Sequence, residues 1–235
     1  MKIAIDFHIH TALSPCADED MTPNNIVNMS VLKGLDAIAI TDHNSVENCK
    51  ACMQVAQNKD IIIIPGIELQ TKEEVHLICL FKDIESAIIF QKLVYNKLPN
   101  KENIPEIFGR QLLFDAQDRI ISENNKMLIA SVNITLNEVF YEINKLNGIV
   151  IPAHIDRSSY SLIGNLGFIP NELQIRTLEV SKNCNINKFL EKHKNLNKYQ
   201  IIQSSDAHYL WDILERESYI EVATKNIDSI FEALK

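Results

Sequence analysis

Short, almost continuously apolar segments recur along this chain, and most of them end in histidine and acidic residues. Lys2–His8, Asp36–Thr41, Ile61–Leu69, Val75–Phe81, Ile149–Ala153, Thr177–Val180 and Tyr199–Gln203 read as strands, most of them separated by helical patterns, and Tyr219–Val222 reads as a final strand before Ile227–Leu234 as a helix. Strands that are apolar on both faces and alternate with helices imply a parallel sheet covered on both sides. About seven such strands fit a closed or distorted α/β barrel better than an open sheet, and barrels of this class carry their chemistry at the C-terminal ends of the strands.

The helices announce themselves through their ends. Thr22-Pro23 supplies an N-cap and a first-turn proline, and Lys33-Gly34 a C-terminal stop. Ser45 is expected to cap a helix over Ser45–Gln57, Asp83 one running to about Leu98, and Asn185–His193 reads as another. Thr135 with Glu138 has the spacing of a capping box. Asn96–Lys126 is polar and weakly periodic, so it reads as an insertion or lid within one domain spanning residues 1–235. Ser158–Pro170 reads as a loop with two glycines.

With 23 basic against 31 acidic residues the net charge is −8. That balance argues against binding a long duplex nucleic acid by bulk electrostatics, and against an anionic membrane surface. MKIAIDFHIH is a strand pattern and not a signal peptide, and no apolar run approaches the ~20 residues of a membrane span. Five cysteines, Cys16, Cys49, Cys52, Cys79 and Cys184, form no disulfide framework. Cys49 and Cys52 lack the second pair that a zinc ribbon needs and read as packing on a helix face. The expected compartment is the reducing cytoplasm.

Six of the seven histidines lie in or just beyond a strand, and only His193, in a lysine-rich helix, stands apart. In Asp6-Phe7-His8-Ile9-His10, strand alternation would send Asp6, His8 and His10 to one face. Thr41-Asp42-His43-Asn44, Glu68 after Pro65-Gly66, His76, His154 and Asp206-Ala207-His208 repeat the theme. Taken singly, each has an ordinary explanation as a strand-end polar group, a helix cap or a satisfied core histidine. Together they offer eight donors: His8, His10, His43, Glu68, His76, His154, Asp206 and His208. A catalytic zinc uses about three protein ligands, so eight suit two or three divalent ions such as manganese, zinc or iron, with Glu68 as a bridging carboxylate.

At these residues the sequence resembles the PHP family, the polymerase and histidinol phosphatase superfamily. The motifs are DFHIH at Asp6–His10, ITDHN at Ile40–Asn44, PGIE at Pro65–Glu68 with His76 downstream, PAHID at Pro152–Asp156 and SSDAH at Ser204–His208. The resemblance implies a distorted (β/α)7 TIM-like barrel with a two- or three-metal centre. It implies His8 and His10 on one ion with Glu68 and Asp206, a second ion held by Glu68, His76 and His154, and a third by His43 and His208. Relatives complete the third site from the loop after the first histidine pair. Here Cys16 falls where some relatives place His, with Asp18 and Asp20 as rivals. Asp6 and Asp42 would orient ligands from behind.

The implied activity is metal-dependent hydrolysis of a small phosphorylated substrate, nucleotides included, with Glu68, His208 and Arg157 assigned to catalysis and Arg157 placed to grip a phosphate oxygen. The alternatives are a histidinol-phosphatase-like enzyme, a non-catalytic metal-bound module of a larger complex, and a hydrolase of C–N bonds. Substrate choice would lie with Asn96–Lys126 and Ser158–Pro170.

Overall fold

The computed structural model describes residues 1–235. In chain order the elements are β1 (Lys2–Ile9), α1 (Pro23–Leu32), β2 (Ala37–Ile40), α2 (Cys49–Ala56), β3 (Ile62–Gln70), β4 (His76–Leu80) and α3 (Ile84–Lys97). They continue as α4 (Pro105–Phe108), β5 (Leu112–Phe114), β6 (Ile120–Glu123), α5 (Leu136–Lys145), β7 (Ile149–Pro152) and α6 (Leu162–Leu166). The chain closes with β8 (Thr177–Ser181), α7 (Ile186–Lys192), β9 (Gln200–Ser204), β10 (Tyr219–Glu221) and α8 (Ile227–Leu234). None of these helices is long and apolar enough to cross a membrane.

The main sheet runs β10-β1-β2-β3-β4-β7 and curls into a half-barrel. The parallel pair β8–β9 closes on it through a bridge from Ile9 to Ala207 and a hydrogen bond from Ile155 N to Glu179 O. An all-parallel sheet is not what forms. β4 runs antiparallel to both β3 and β7, and β10 antiparallel to β1. The reason is length: residues 71–75 are too few for the dozen or more that a parallel crossover needs, so β3 and β4 make a hairpin with no helix between them.

Apolar residues of the strands fill two spaces. Ile3, Ile5, Phe7, Ala37, Ala39, Ile64, Ile78 and Ile151 pack with Ile230, Phe231 and Leu234 of α8 on one face of the sheet. On the other face Ile38, Ile40, Ile63 and Ile67 pack under Ile26 and Val27 of α1, Phe90 and Val94 of α3, and Val139 and Ile143 of α5. Cys49 and Cys52 are buried in this second layer, as helix-face packing requires.

Thr22, Asp83 and Thr135 accept the expected capping hydrogen bond, Thr135 with Glu138 forms the full capping box, and Asn185, read as the first residue of a helix, is instead the N-cap of α7. Ser45 does not cap a helix. α2 begins only at Cys49, and the Ser45 hydroxyl joins Glu47, Gln91 and Tyr95. The 158–170 segment also departs from a plain loop: Ser161 accepts from Gly164 N and starts α6, which ends at Gly167 in the left-handed conformation.

Residues 96–126 fold as α4 and the β5–β6 hairpin, and they are docked rather than loose. Leu112 and Phe114 pack on Ala12. The Asn48 side chain donates to Leu112 O and accepts from Phe114 N. The Asp118 carboxylate accepts from Thr22 Oγ1 and Asn24 N at the start of α1. The hairpin therefore sits on the loop that follows the first histidine pair. Gly109 is where they touch most closely: at φ +99° and ψ 165° it occupies a region open essentially to glycine alone, and an added Cβ would lie 1.9 Å from Pro15 O.

Two glycine substitutions separate strain from collision. Gly167→Ala meets nothing within 4 Å and should cost about 1–2 kcal/mol for its positive φ alone. Gly109→Ala adds a backbone clash and should cost ~1–3 kcal/mol beyond that. Urea unfolding of both variants checks this, and equal costs would contradict the packing of the hairpin on Pro15.

Candidate metal centre

Six histidines and two acidic residues from the ends of six strands meet in one place. Glu68, at the end of β3, is at the middle. Its Oε1 lies 2.7 Å from His76 Nδ1, 3.2 Å from His8 Nε2 and 3.3 Å from His154 Nε2, and its Oε2 lies 2.8 Å from His43 Nδ1 and 3.5 Å from His10 Nε2. Asp206 Oδ1 is 3.2 Å from both His8 Nε2 and His10 Nε2. The atoms sort into three groups in which all donors lie within 4.8 Å of one another: His8, His10, Glu68 and Asp206; Glu68, His76 and His154; and His10, His43 and His208.

Backbone irregularities aim these side chains. The β1–β2 register shifts between Asp6 and Ile9, and a bulge of that kind breaks strict alternation. His8 and His10 turn to the cluster, while Asp6 does not share their face. Its carboxylate instead accepts from Ser205 N and Leu214 N at 3.0 Å each, securing the turn that carries Asp206. Asn44, His154 and Asp206 all have positive φ, at 53°, 31° and 52°. For residues other than glycine this costs on the order of 1–3 kcal/mol each and persists where surrounding contacts enforce it.

The outer partners fix which nitrogen of each ring carries the proton. His8 Nδ1 donates to Glu179 Oε1 at 3.0 Å. Ser14 Oγ gives its proton to Asp42 at 2.7 Å, so it accepts from His10 Nδ1 at 2.8 Å. His208 Nδ1 donates to Asp206 O at 2.9 Å. The Nε2 lone pairs of His8 and His10 then face each other across 3.1 Å, with carboxylate oxygens on either side. Such a meeting of electron pairs is unfavourable unless a proton or a bound cation answers it.

Electrostatics point the same way. Burial would push the Glu68 carboxyl up, but His76, His8 and His43 hold it well below the usual carboxylate range. Burial would push the His8 imidazole down, but Glu179, Asp206 and Glu68 raise it well above its ordinary value. For His10, burial and the neighbouring His208 win and push it well down. A proton can therefore serve His8 but not His10 beside it. Glu68 Oε2, buried, has no hydrogen-bond partner despite its 2.8 Å approach to His43 Nδ1. The imidazole and carboxylate set suits zinc, manganese or iron, so the residues present fit such ions.

Cys16 is exposed, and its Sγ lies 3.1 Å from His208 Nε2. Burial of the thiol group would raise its pKa, but His208 and His43 bring it down to about 6. Asp18 Oδ1 accepts from Asp20 N, and none of Cys16, Asp18 and Asp20 joins a donor group. Asp42, pushed up to about 6 by burial, is tied to Thr11 and Ser14. Arg157 Nη1 pairs with Asp206 Oδ2 at 2.7 Å, whereas Asp156 is used on Ser181. His193 stacks on Phe189 and joins no donor group.

Sequence reasoning missed Glu179 and Ser14. Glu179 is a buried carboxylate within β8 that supports His8 Nδ1 and accepts from His154 N at 3.1 Å. The signal was available: an acidic residue inside an apolar strand, the same cue that singled out Glu68. Ser14 left no such signal, because a serine in a loop is unremarkable by type. Glu179→Ala should weaken zinc binding roughly 10–100-fold, the usual effect of removing a group that orients a ligand. Titration against a competing chelator measures this, and unchanged affinity would remove Glu179 from the centre.

Comparison with known proteins places this geometry. The PHP domain profile matches residues 6–157, well over half of the chain. An uncharacterized protein of Methanocaldococcus jannaschii is 29% identical over 118 residues, which is 48% of this chain and 15% of that protein. Among solved structures, the lesion-specific endonuclease PfuEndoQ of Pyrococcus furiosus aligns over 100% of this chain and 56% of its own, with a TM-score of 0.75 and 21% identity. A protein of Bifidobacterium adolescentis assigned as a metal-dependent phosphoesterase aligns over 98% of this chain and 95% of its own, with a TM-score of 0.64 and 17% identity. The chain thus spans only about half of the endonuclease and a small part of the archaeal relative. One expectation falls here. Endonuclease Q, aligning with a TM-score of 0.72, 19% identity and the same shares of the two chains, was solved with a 27-mer duplex bearing an abasic lesion at its active site. An acidic balance therefore does not exclude long duplex nucleic acid from this fold, because net charge sums over the whole surface while binding responds to the local field of the site. The donor clusters, the motifs that bear them and the profile match agree: the chain belongs to the PHP family.

Proposed function

We propose that the chain is a metal-dependent phosphoesterase that hydrolyses a small phosphomonoester or a nucleotide, and that its three donor groups hold two or three divalent ions. The convergence of all three groups around Glu68 carries this reading. Bound ions would supply the charge that binds phosphate oxygens and the acidity that turns a water into a nucleophile. The rest is the work of this chain's own residues. Glu68 belongs to two donor groups and fixes the spacing between them. Glu179 and Ser14 hold His8 and His10 with their Nε2 atoms turned inward. Arg157, 44% exposed, uses Nη1 on Asp206; the rest of its planar fork suits a phosphate oxygen at the mouth of the site. His208 is the most exposed imidazole of the cluster, at 23% against 13% for His43, and so is best placed to meet the departing oxygen. Five unpaired cysteines fit a reducing compartment such as the cytoplasm.

Cleavage of a phosphodiester within a nucleic acid is a second reading, favoured by the likeness in fold to Endonuclease Q over the whole chain. Aromatic rings near the centre suit it. Tyr160 stacks on His76 at 5.0 Å, and Tyr209, next to His208, stacks on a largely exposed Trp211 at 4.8 Å. Such rings are platforms for bases.

The test is phosphate release from phosphomonoesters, mononucleotides and 3′,5′-bisphosphates with manganese, zinc or iron, alongside strand cleavage of a duplex with an abasic site. His10→Ala should lower the true activity by more than the roughly 10–100-fold that loss of an orienting partner brings. Phosphate release supports the first reading and strand cleavage alone the second. Neither activity from the metal-loaded protein would overturn both.

A further inference from the structure

We infer that Gln70 is a positioning residue for the metal centre: its amide oxygen holds the His76 ring with the proton on Nε2, so that Nδ1 is the ligand atom this ring offers to the group it shares with Glu68 and His154. The inference rests on the metal-centre reading above and goes beyond it, because it assigns a nitrogen to His76 and a role to a residue outside the donor groups.

Register brings the two side chains together. β3 and β4 form an antiparallel hairpin in which Gln70 lies directly across from His76. Opposed residues on such a pair share a face, with Cβ atoms about 4.5–5.5 Å apart, and Glu68, two residues earlier, points to the same face. The ring therefore has Glu68 Oε1 at 2.7 Å from Nδ1 and Gln70 Oε1 at 3.4 Å from Nε2.

The orientation of the Gln70 amide is set from behind. Its Nε2 donates to Ser131 Oγ at 2.7 Å, which leaves Oε1 facing the ring. An amide oxygen only accepts, so the proton it meets is on His76 Nε2 and the lone pair is on Nδ1. The backbone is pinned as well: Gln70 O accepts from Val132 N at 2.8 Å, and Gln70 N donates to Asn44 Oδ1 at 3.4 Å. His76 N in turn donates to Tyr160 O at 2.9 Å, and the Tyr160 ring stacks on the imidazole.

The contrast inside the group gives Gln70 its weight. His154 Nε2 approaches Glu68 Oε1 to 3.3 Å, but its Nδ1 is buried without a hydrogen-bond partner. Of the two imidazoles in this group, only His76 has its far nitrogen held. His8, His10 and His208 present Nε2 because their Nδ1 protons are held; His76 is turned the other way round. A partner on the far nitrogen fixes both the tautomer and the direction of a ligating imidazole.

Zinc titration against a competing chelator reads the effect ion by ion. Gln70→Met keeps the length of the side chain and removes the amide; it should weaken one zinc ion roughly 10–100-fold and leave the others at wild-type affinity. Gln70→Glu, which restores an acceptor, should hold that ion at wild-type affinity or tighter. In a His76→Ala background Gln70→Met should change nothing further, since a residue that acts through His76 loses its effect with that ring. Another readout needs no substitution of Gln70: in the nitrogen NMR spectrum of zinc-loaded protein with isotope-labelled histidine, the His76 ring, identified by its loss in His76→Ala, should carry its proton on Nε2. Unchanged affinity in Gln70→Met, equal weakening in Gln70→Glu, an undiminished effect of Gln70→Met in the absence of the His76 ring, or a proton on His76 Nδ1 each overturns the role of Gln70 and leaves the metal centre standing. Wild-type protein that binds no zinc overturns the centre and Gln70 together.

Discussion

Everything else in this structure serves the close approach of two imidazole nitrogens. With their Nδ1 protons fixed on Glu179 and Ser14, His8 and His10 set their Nε2 atoms 3.1 Å apart beside Glu68 and Asp206. Burying polar atoms so that lone pairs meet is unfavourable unless positive charge answers them. Arg157 answers one oxygen of Asp206 from the rim, and a proton can serve His8. The remaining pairs on His10 and Glu68 call for ions, and the grouping of the donors into three sets linked by Glu68 and His10 calls for more than one.

The backbone absorbs the cost of this convergence at identifiable points. Asn44, His154 and Asp206 lie in left-handed conformations at the ends of β2, β7 and β9, and β1 breaks register within its last turn of alternation. Each irregularity is clamped by a neighbour. Asn44 donates to Leu128 O and Ala130 O, His154 N donates to Glu179, and Asp6 secures the turn before Asp206. Buried groups that touch no substrate, such as Asp6, are thereby tied to the chemistry through the conformation they enforce.

Much of this was legible in the sequence because the responsible signals are local. Thr22, Asp83 and Thr135 cap the helices they were expected to cap, since a side chain reaching an amide three residues on depends on little else. The eight donors converge because strand ends share one rim of a curled sheet. What escaped is set by partners distant in sequence. The face on which Asp6 lies depends on a register shift against β2. Ser45 fails as a cap because Glu47, Gln91 and Tyr95 claim its hydroxyl. Ser14 matters only because Asp42 and His10 arrive at it from either side. The direction of β4 was readable from the five residues before it, but apolar composition outweighed loop length.

The polar segment 96–126 looked least structured in sequence, yet it bears on the site through contacts no periodicity reveals. Its hairpin packs Leu112 and Phe114 on Ala12, caps α1 through Asp118 and meets Pro15 through Gly109. These contacts fall on the stretch between His10 and the first turn of α1, which carries Ser14 and Cys16. Strand ends fix the inner donors, and their geometry follows from the sheet. The loop between His10 and α1, which carries Ser14, takes its shape instead from the hairpin docked on it. A change in the hairpin can therefore reach the donors through Ser14, whose hydroxyl accepts from His10 Nδ1 and His43 N, without altering the sheet that sets His8, Glu68 and Asp206.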